Sequence, residues 1–405
     1  MRRFGPMTQA PKIVGRPVWA EIRTKALEHN LRAIRAHLDS AKPAAGSAKK
    51  RVGILAVVKG NGYGHGGPAA AKALGHAGAD QFCVTCSAEG IELREAGIKK
   101  PILVLTGFWP GEEKRLIEYG LTPTVTNCDQ LRFLERAAAR ASRKLRGPLG
   151  IHLKIDSGMN RMGISPASVD CFAGALADCK HLKLSGTFTH FASSEVFTTS
   201  ETPDQTRVFL SAVGHMREIG LDPGMVHMAN SAAIISRPET WADAVRPGAI
   251  LYGYHQNYDP PTRTADAARN VPLQPALSFR ARIISMRDVP AGSAIGYNGK
   301  FRTERPSRIA ILAAGYADGV QRGMANHGRV IIRGQFAPVV GIVSMDLTAV
   351  DVTDVEGVQG GDIATIYGTD GDAKQFAFDV AKQLGTVTAQ VLVGLGWRVP
   401  RVYLR

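Results

Sequence analysis

The sequence predicts an α/β fold followed by a second, β-rich domain: an N-terminal (β/α)8, TIM-like barrel and a C-terminal, mostly antiparallel β domain. Three observations carry this. From Val52 to about Val245 the chain repeats one unit, a short β-rich apolar run, a polar turn and a helical stretch, and alternation of this kind implies a parallel sheet. There are eight such runs in roughly 200 residues, which favours a closed barrel over an open doubly wound sheet. Beyond residue 275 the texture changes to short strands separated by turn signals, and a chain of 405 residues exceeds the length at which one core usually stops growing.

Taken in order, residues 1–17, MRRFGPMTQAPKIVGRP, read as a basic, disordered tail. No apolar segment follows its basic residues, so a secretory signal is not expected. No run approaches the roughly 18 to 20 apolar residues of a membrane span, and a cytoplasmic protein with no membrane partner follows as the expectation. The net charge of +15 raises the question of nucleic acid. Residues 1–51 hold 12 Lys or Arg against 3 Asp or Glu, so most of the excess lies in one segment. Without interleaved aromatics or a recognition motif, no nucleic-acid partner is expected.

A short strand at 18–22 precedes a helix with apolar Leu27, Leu31, Ile34 and Leu38 at spacings of four, three and four. That strand is free to join the second domain instead of the barrel. The eight runs are VGILAVV (52–58), QFCVT (81–85), PILVLT (101–106), TPTVT (122–126), IHLKI (151–155), LSGTFT (184–189), MVHMA (225–229) and ADAV (242–245). The barrel spans 18–258, and the polar, proline-rich stretch 259–275 reads as a linker. The β domain, 276–405, is expected to hold strands in ALSFRARIISM, RIAILAA, GRVIIRG, APVVGIV, TAVDV and DIATIYG, with one helix near Ala373 to Leu384. Five cysteines make no disulfide framework, and the single CxxC pair, Cys83 and Cys86, reads as packing; no metal is expected.

Active sites of such barrels lie at the C-terminal strand ends. Lys59 closes the first run, and lysine is a poor residue to bury unless neutralised or covalently engaged. The segment around it, AVVKGNGYGHG, resembles the alanine racemase motif, usually AVVKANAYGHG. Gly60 and Gly62 replace the usual alanines, a departure expected to loosen the loop. The resemblance continues in family order through HLKIDSGMNRMGI, FTHFASSE, MANSAA, VRPGAILYG, GYNGKF, GYADG, SMDLTAVDV and WRVPRVYL, spanning about 380 residues.

The resemblance implies an enzyme that uses pyridoxal 5'-phosphate to interconvert L- and D-alanine, supplying D-alanine for peptidoglycan. Lys59 then carries the cofactor, Tyr63, Ser231, Gly248 and Ala249 support its phosphate, and Arg246 faces the pyridine nitrogen. Arginine holds its proton tightly, which weakens the ring as an electron sink and suits racemisation over decarboxylation. Racemisation also needs acid-base groups on both faces of Cα. Lys59 serves one, and Tyr297 resembles the opposing base, linked through His190 towards Arg246. A free tyrosine ionises near pH ~10, so positive charge or donors must lie nearby.

Arg161 resembles the arginine that orients the substrate carboxylate, a task suited to its planar fork. Lys154 aligns with a lysine that many members carry as a carbamate; a plain ammonium would repel Arg161, whereas a carbamate is negative. Met345 and Asp346 are carried over as substrate-pocket residues. With Tyr297, they come in the family from the other subunit, which implies a homodimer with shared sites. Trp397 stands where many relatives have a tyrosine that touches the phosphate, Glu195 where many have aspartate, and Arg322 matches an entry arginine. The rival readings are a racemase of serine or of a basic amino acid on the same fold, and a non-catalytic pyridoxal-phosphate-binding protein built on the barrel alone.

Overall fold

The structure, a computed structural model, describes residues 15–40, 51–143 and 145–405. The basic tail therefore falls mostly outside the described residues. Contacts divide the chain into two units: Lys25–Gln274, and the described chain up to Thr24 together with Pro275–Arg405.

In the first unit, β2 (Gly53–Val57), β3 (Gln81–Val84), β4 (Ile102–Val104), β5 (Thr122–Val125), β6 (Leu149–Lys154), β7 (Leu182–Phe188), β8 (Met225–His227) and β9 (Ala244–Val245) form a closed barrel. Every neighbouring pair is parallel, and Gly53 opposite Ala244 closes the ring. All eight expected runs carry these strands. Leu55, Val57, Cys83, Leu103 and Ala244 pack together inside, so Cys83 is a core residue while Cys86 is exposed. The outer helices turn their apolar stripes inwards. The helix Asp129–Ala141 buries Leu131, Leu134 and Ala138 at spacings of three and four.

The second unit is built on a nine-stranded sheet. β1 (Val18–Arg23) lies within it, antiparallel to β10 (Leu277–Val289) and parallel to β19 (Arg401–Leu404). β1 buries Val18, Ala20 and Ile22 on one face and Trp19 on the other, so its pattern is not the alternation of a half-exposed strand. β13 (Ser307–Leu312), β14 (Arg329–Ile332), β15 (Gln335–Pro338), β16 (Thr348–Asp351), β17 (Ile363–Asp370) and β18 (Ala373–Gln375) complete it, and β11 (Ala294–Ile295) and β12 (Phe301–Arg302) make a separate hairpin. Apart from the β1 and β19 pair, every pairing is antiparallel.

Three details differ from the expectations. The stretch 259–275 carries a helix, Thr262–Asn270, which buries only Ala267 on its own face, too little apolar pattern to read from sequence. The strand expected in APVVGIV begins earlier, at Gln335, because β15 takes its register from β14. The late helix is two helices, Ala377–Gln383 and Thr388–Val393, with 373–375 in β18. Among the described residues no helix is long and apolar enough to cross a membrane.

Candidate active site

The C-terminal ends of the barrel strands gather a cluster of cations. Lys59 follows β2, Lys154 ends β6, Arg161 lies in the loop beyond β6, and Arg246 follows β9. Lys59 opens to solvent at the barrel mouth, yet protein crowds it closely. Burial and then the charge of Arg161 hold its ammonium below the ordinary lysine range, against the pull of Glu89. Lys154 is buried, with its ammonium 5.8 Å from the Phe188 ring centre. Burial, then Arg161 and Arg246, lower it to about 8. Cations that depress one another in this way make a field suited to a phosphate and a carboxylate.

Arg246 is buried and held by a dense set of acceptors. Its Nη1 donates to His227 Nδ1 at 2.6 Å and to the His227 carbonyl at 3.0 Å. Its Nη2 donates to the carbonyls of Thr189 at 2.6 Å and Met228 at 3.1 Å, and lies 3.4 Å from His190 Nδ1. A guanidinium has only donors, so His227 Nδ1 must be bare and its proton must sit on Nε2. That nitrogen lies 3.0 Å from His152 Nδ1, which fixes the second ring in the same tautomer. Both rings are thereby neutral. Burial first and the charge of Arg246 second push His152 down to about 4, and the same causes push His227 and His190 well below the usual histidine value. Burial lowers Arg246 itself only to about 10, so it remains a cation at neutral pH.

Two residues beyond this arginine, hydroxyl and backbone groups converge on Gly248. Ser231 Oγ accepts from the Gly248 N–H at 2.9 Å. A Cβ at Gly248 would stand 2.7 Å from the Tyr63 hydroxyl and 3.6 Å from Ser231 Oγ, so only glycine leaves that space open, and Ala249 begins the turn that follows. Tyr63 stacks on Tyr252 at 4.8 Å between centroids. Burial pushes the Tyr63 phenol up to about 12, which keeps it a neutral donor. Two hydroxyls and a glycine backbone around a space that one methyl would fill fit a phosphate group.

The segment joining Lys59 to Tyr63 is a left-handed turn. Gly60, Asn61, Gly62 and Tyr63 all have φ between 51° and 63°. Glycine meets no Cβ penalty there. The two glycines therefore relieve the strain that side chains at these positions would carry. Glu89 fastens it, accepting from the N–H of Gly60 and of Thr85, each at 2.7 Å.

The family model described as alanine racemase, N-terminal domain, matches residues 22–256, and that for the C-terminal domain matches 276–403. The chain belongs to the alanine racemase family. It is 36% identical over 392 residues to the alanine racemase of Halothermothrix orenii, covering 97% of this chain and 98% of that one. It is 37% identical over 399 residues to that of a Geobacter species, covering 96% and 99%. Among solved structures it is similar to alanine racemase from Bacillus anthracis with bound L-Ala-P, at a TM-score of 0.86 and 31% identity over 97% of this chain and 96% of that one. It is also similar to the biosynthetic alanine racemase of Pseudomonas aeruginosa, at a TM-score of 0.80 and 31% identity over 96% and 100%. Enzymes of the alanine racemase family are pyridoxal-phosphate-dependent isomerases, and the donors around Gly248 fit that cofactor.

Of the residues singled out from sequence, Lys59, Tyr63, Lys154, Arg161, His190, Ser231, Arg246, Gly248 and Ala249 all lie in the barrel unit. Tyr297, Met345 and Asp346 lie in the second unit. Tyr297 sits between β11 and β12, 66% exposed, and Met345 is 53% exposed. Asp346 Oδ1 accepts from Arg398 Nη2 at 2.5 Å, and Arg398 Nε donates to the fully buried Asp318 at 2.7 Å. Trp397 is 94% exposed and Arg322 is exposed, while Glu195 is half-buried. Sequence reasoning missed His152, His227 and Glu89. The signal for the histidines was a polar ring inside an otherwise apolar strand.

Proposed function

We propose that this chain interconverts L- and D-alanine with pyridoxal phosphate, using Lys59 and Tyr297 as opposed acid-base groups contributed by two subunits of a homodimer. The observation that carries the reading is Arg246, a buried cation just beyond the C-terminal end of β9, locked by neutral imidazoles and carbonyls. When bound, pyridoxal phosphate withdraws electrons from the substrate Cα and so acidifies its proton.

The chain's own residues then divide the work. Tyr63, Ser231 and the Gly248 backbone hold the phosphate. Arg246 keeps its proton and its charge at neutral pH; beside the ring nitrogen it would disfavour protonation there, and so would favour fast reprotonation at Cα. Lys59 would hold the cofactor covalently, and its free amine, with a lowered affinity for protons, would take a proton from, or return one to, one face of Cα. Tyr297 does the same at the other face, with His190 beside Arg246 as its link into the barrel. Arg161 binds the substrate carboxylate. Lys154, amid like charges at about 8, has a reactive amine for a carbamate, which would replace a repulsion of Arg161 by an attraction.

The exposure of Tyr297, Met345 and Trp397 supports a partner subunit. D-Alanine made this way supplies peptidoglycan synthesis, and five free cysteine thiols fit a cytoplasmic site of action. A binding protein built on the barrel alone would lack the C-terminal domain matched at 276–403. Chiral chromatography of the holoenzyme with a panel of amino acids tests the assignment: alanine is expected to racemise from either enantiomer to an equal mixture, and faster turnover of serine or lysine would overturn the choice of alanine.

A further inference from the structure

The loop that carries Arg161 is closed at its base and filled at its centre by one carboxylate. At the base, the Asp156 N–H donates to the Ile164 carbonyl and the Ile164 N–H to the Lys154 carbonyl, both at 2.9 Å. Gly163, at φ 122°, sits where a Cβ would come within 2.7 Å of the Asp156 nitrogen, so the closure needs glycine there. Ser157 Oγ meets Thr189 Oγ1 at 2.8 Å, both residues buried, and ties the loop to the end of β7.

At the centre, Asp156 Oδ1 accepts from the N–H groups of Gly158 and Asn160, each at 3.0 Å, and Oδ2 accepts from the Arg161 N–H at 2.8 Å. Burial works to raise this carboxyl, but these N–H groups and that of Met162 outweigh it and hold it below the ordinary aspartate value. An acid so close to a guanidinium would ordinarily pair with it. Here both carboxylate oxygens are spent on backbone donors. Among the described residues the Arg161 side chain has no ion-pair partner, and its exposed guanidinium lies close enough to lower both Lys59 and Lys154.

We propose that Asp156 is the positioning residue for Arg161: it folds the loop onto its own carboxylate and leaves the guanidinium free for the carboxylate of the substrate. This rests on reading Arg161 as the carboxylate-binding residue. The arrangement has two parts that neutral or longer side chains cannot both supply. Asparagine keeps the shape but turns an NH2 towards N–H donors, and glutamate places its oxygens one methylene too far out.

The test uses holoenzyme of the natural chain, Asp156→Asn and Arg161→Ala. For each, kcat and KM for L-alanine are measured, with inhibition constants for propionate, a carboxylate without an amine, and ethylamine, an amine without a carboxylate. The expected result is a rise of at least about tenfold in KM and in the propionate constant for Asp156→Asn, with kcat changed far less. The ethylamine constant and the absorbance of the Lys59-bound cofactor should stay put. Arg161→Ala should show the same pattern, more strongly.

If Arg161→Ala weakens propionate and Asp156→Asn does not, the positioning role is wrong while Arg161 keeps its own. If Arg161→Ala leaves propionate unchanged, the reading of Arg161 is wrong. If Asp156→Asn weakens propionate and ethylamine alike, it acts as general damage and the proposal falls. Should Asp156→Asn fail to fold, amide hydrogen exchange in the natural chain decides. Slow exchange at Gly158, Asn160 and Arg161 is expected, and exchange at the rate of an open loop would overturn the proposal.

Discussion

Burying a guanidinium at the mouth of a barrel carries a heavy desolvation penalty, and Arg246 offsets it with carbonyl and imidazole acceptors on both terminal nitrogens. Those imidazoles must be neutral to accept, which makes the assembly sensitive to acid. In the unfolded chain a histidine ionises near pH ~6.5, whereas in the fold His152 is held at about 4 and His190 and His227 well below their usual value. Between those limits the unfolded chain binds protons that the native chain refuses. Stability is therefore fully present above about pH 6.5 and is lost as pH falls towards about 4, with His152 alone contributing roughly 3 kcal/mol. Calorimetric unfolding near pH ~5 should register net proton uptake by these groups. A stability profile flat from neutrality down through that range would contradict the neutral tautomers derived above.

At the scale of elements, the turn after β2 decides where Lys59 and Tyr63 stand. Four successive residues at positive φ cost an L-residue with a side chain roughly 1–2 kcal/mol each, and two of the four are glycine. At Gly62 an added Cβ would also lie 3.2 Å from the Ala70 Cβ and 3.3 Å from the Gly67 backbone. Gly62→Ala is therefore expected to lower stability by about 1–3 kcal/mol in urea unfolding; an unchanged midpoint would mean that the turn is not left-handed. The eight barrel runs were legible because each is a β-rich apolar segment closed by a turn, and even the short ADAV run was found by its place in the repeat. β11, β12 and β18 are two or three residues long and leave no period to read. Lys59 stood out as a charge at the end of an apolar run. His152 and His227 lie 75 residues apart in the chain, in separate strands, and only the barrel brings them into contact. Asp156 drew no role from sequence, because nothing in its neighbours announces that four N–H groups converge on it.

At the scale of the whole molecule, Lys59, Arg161 and Arg246 lie in the barrel unit and Tyr297, Met345 and Asp346 in the β unit, so the proposed function divides its chemistry between the two. The fold and the barrel set follow from patterning and from motif. The proposed placement of Tyr297 opposite Lys59 needs a dimer, and no pattern along one chain encodes which subunit supplies a side chain. The most direct test of the central claim mixes two inactive proteins. On the proposed reading, Lys59→Ala removes the cofactor anchor and one base and Tyr297→Phe removes the other base, so neither variant alone should racemise alanine at a useful rate. Unfolded together and refolded, they form mixed dimers in which one site has both Lys59 and Tyr297 intact. The expected activity is about one quarter of that of the natural protein, since half the dimers are mixed and each has one complete site. Mixtures no more active than either variant alone would contradict an active site shared between Lys59 of one subunit and Tyr297 of the other.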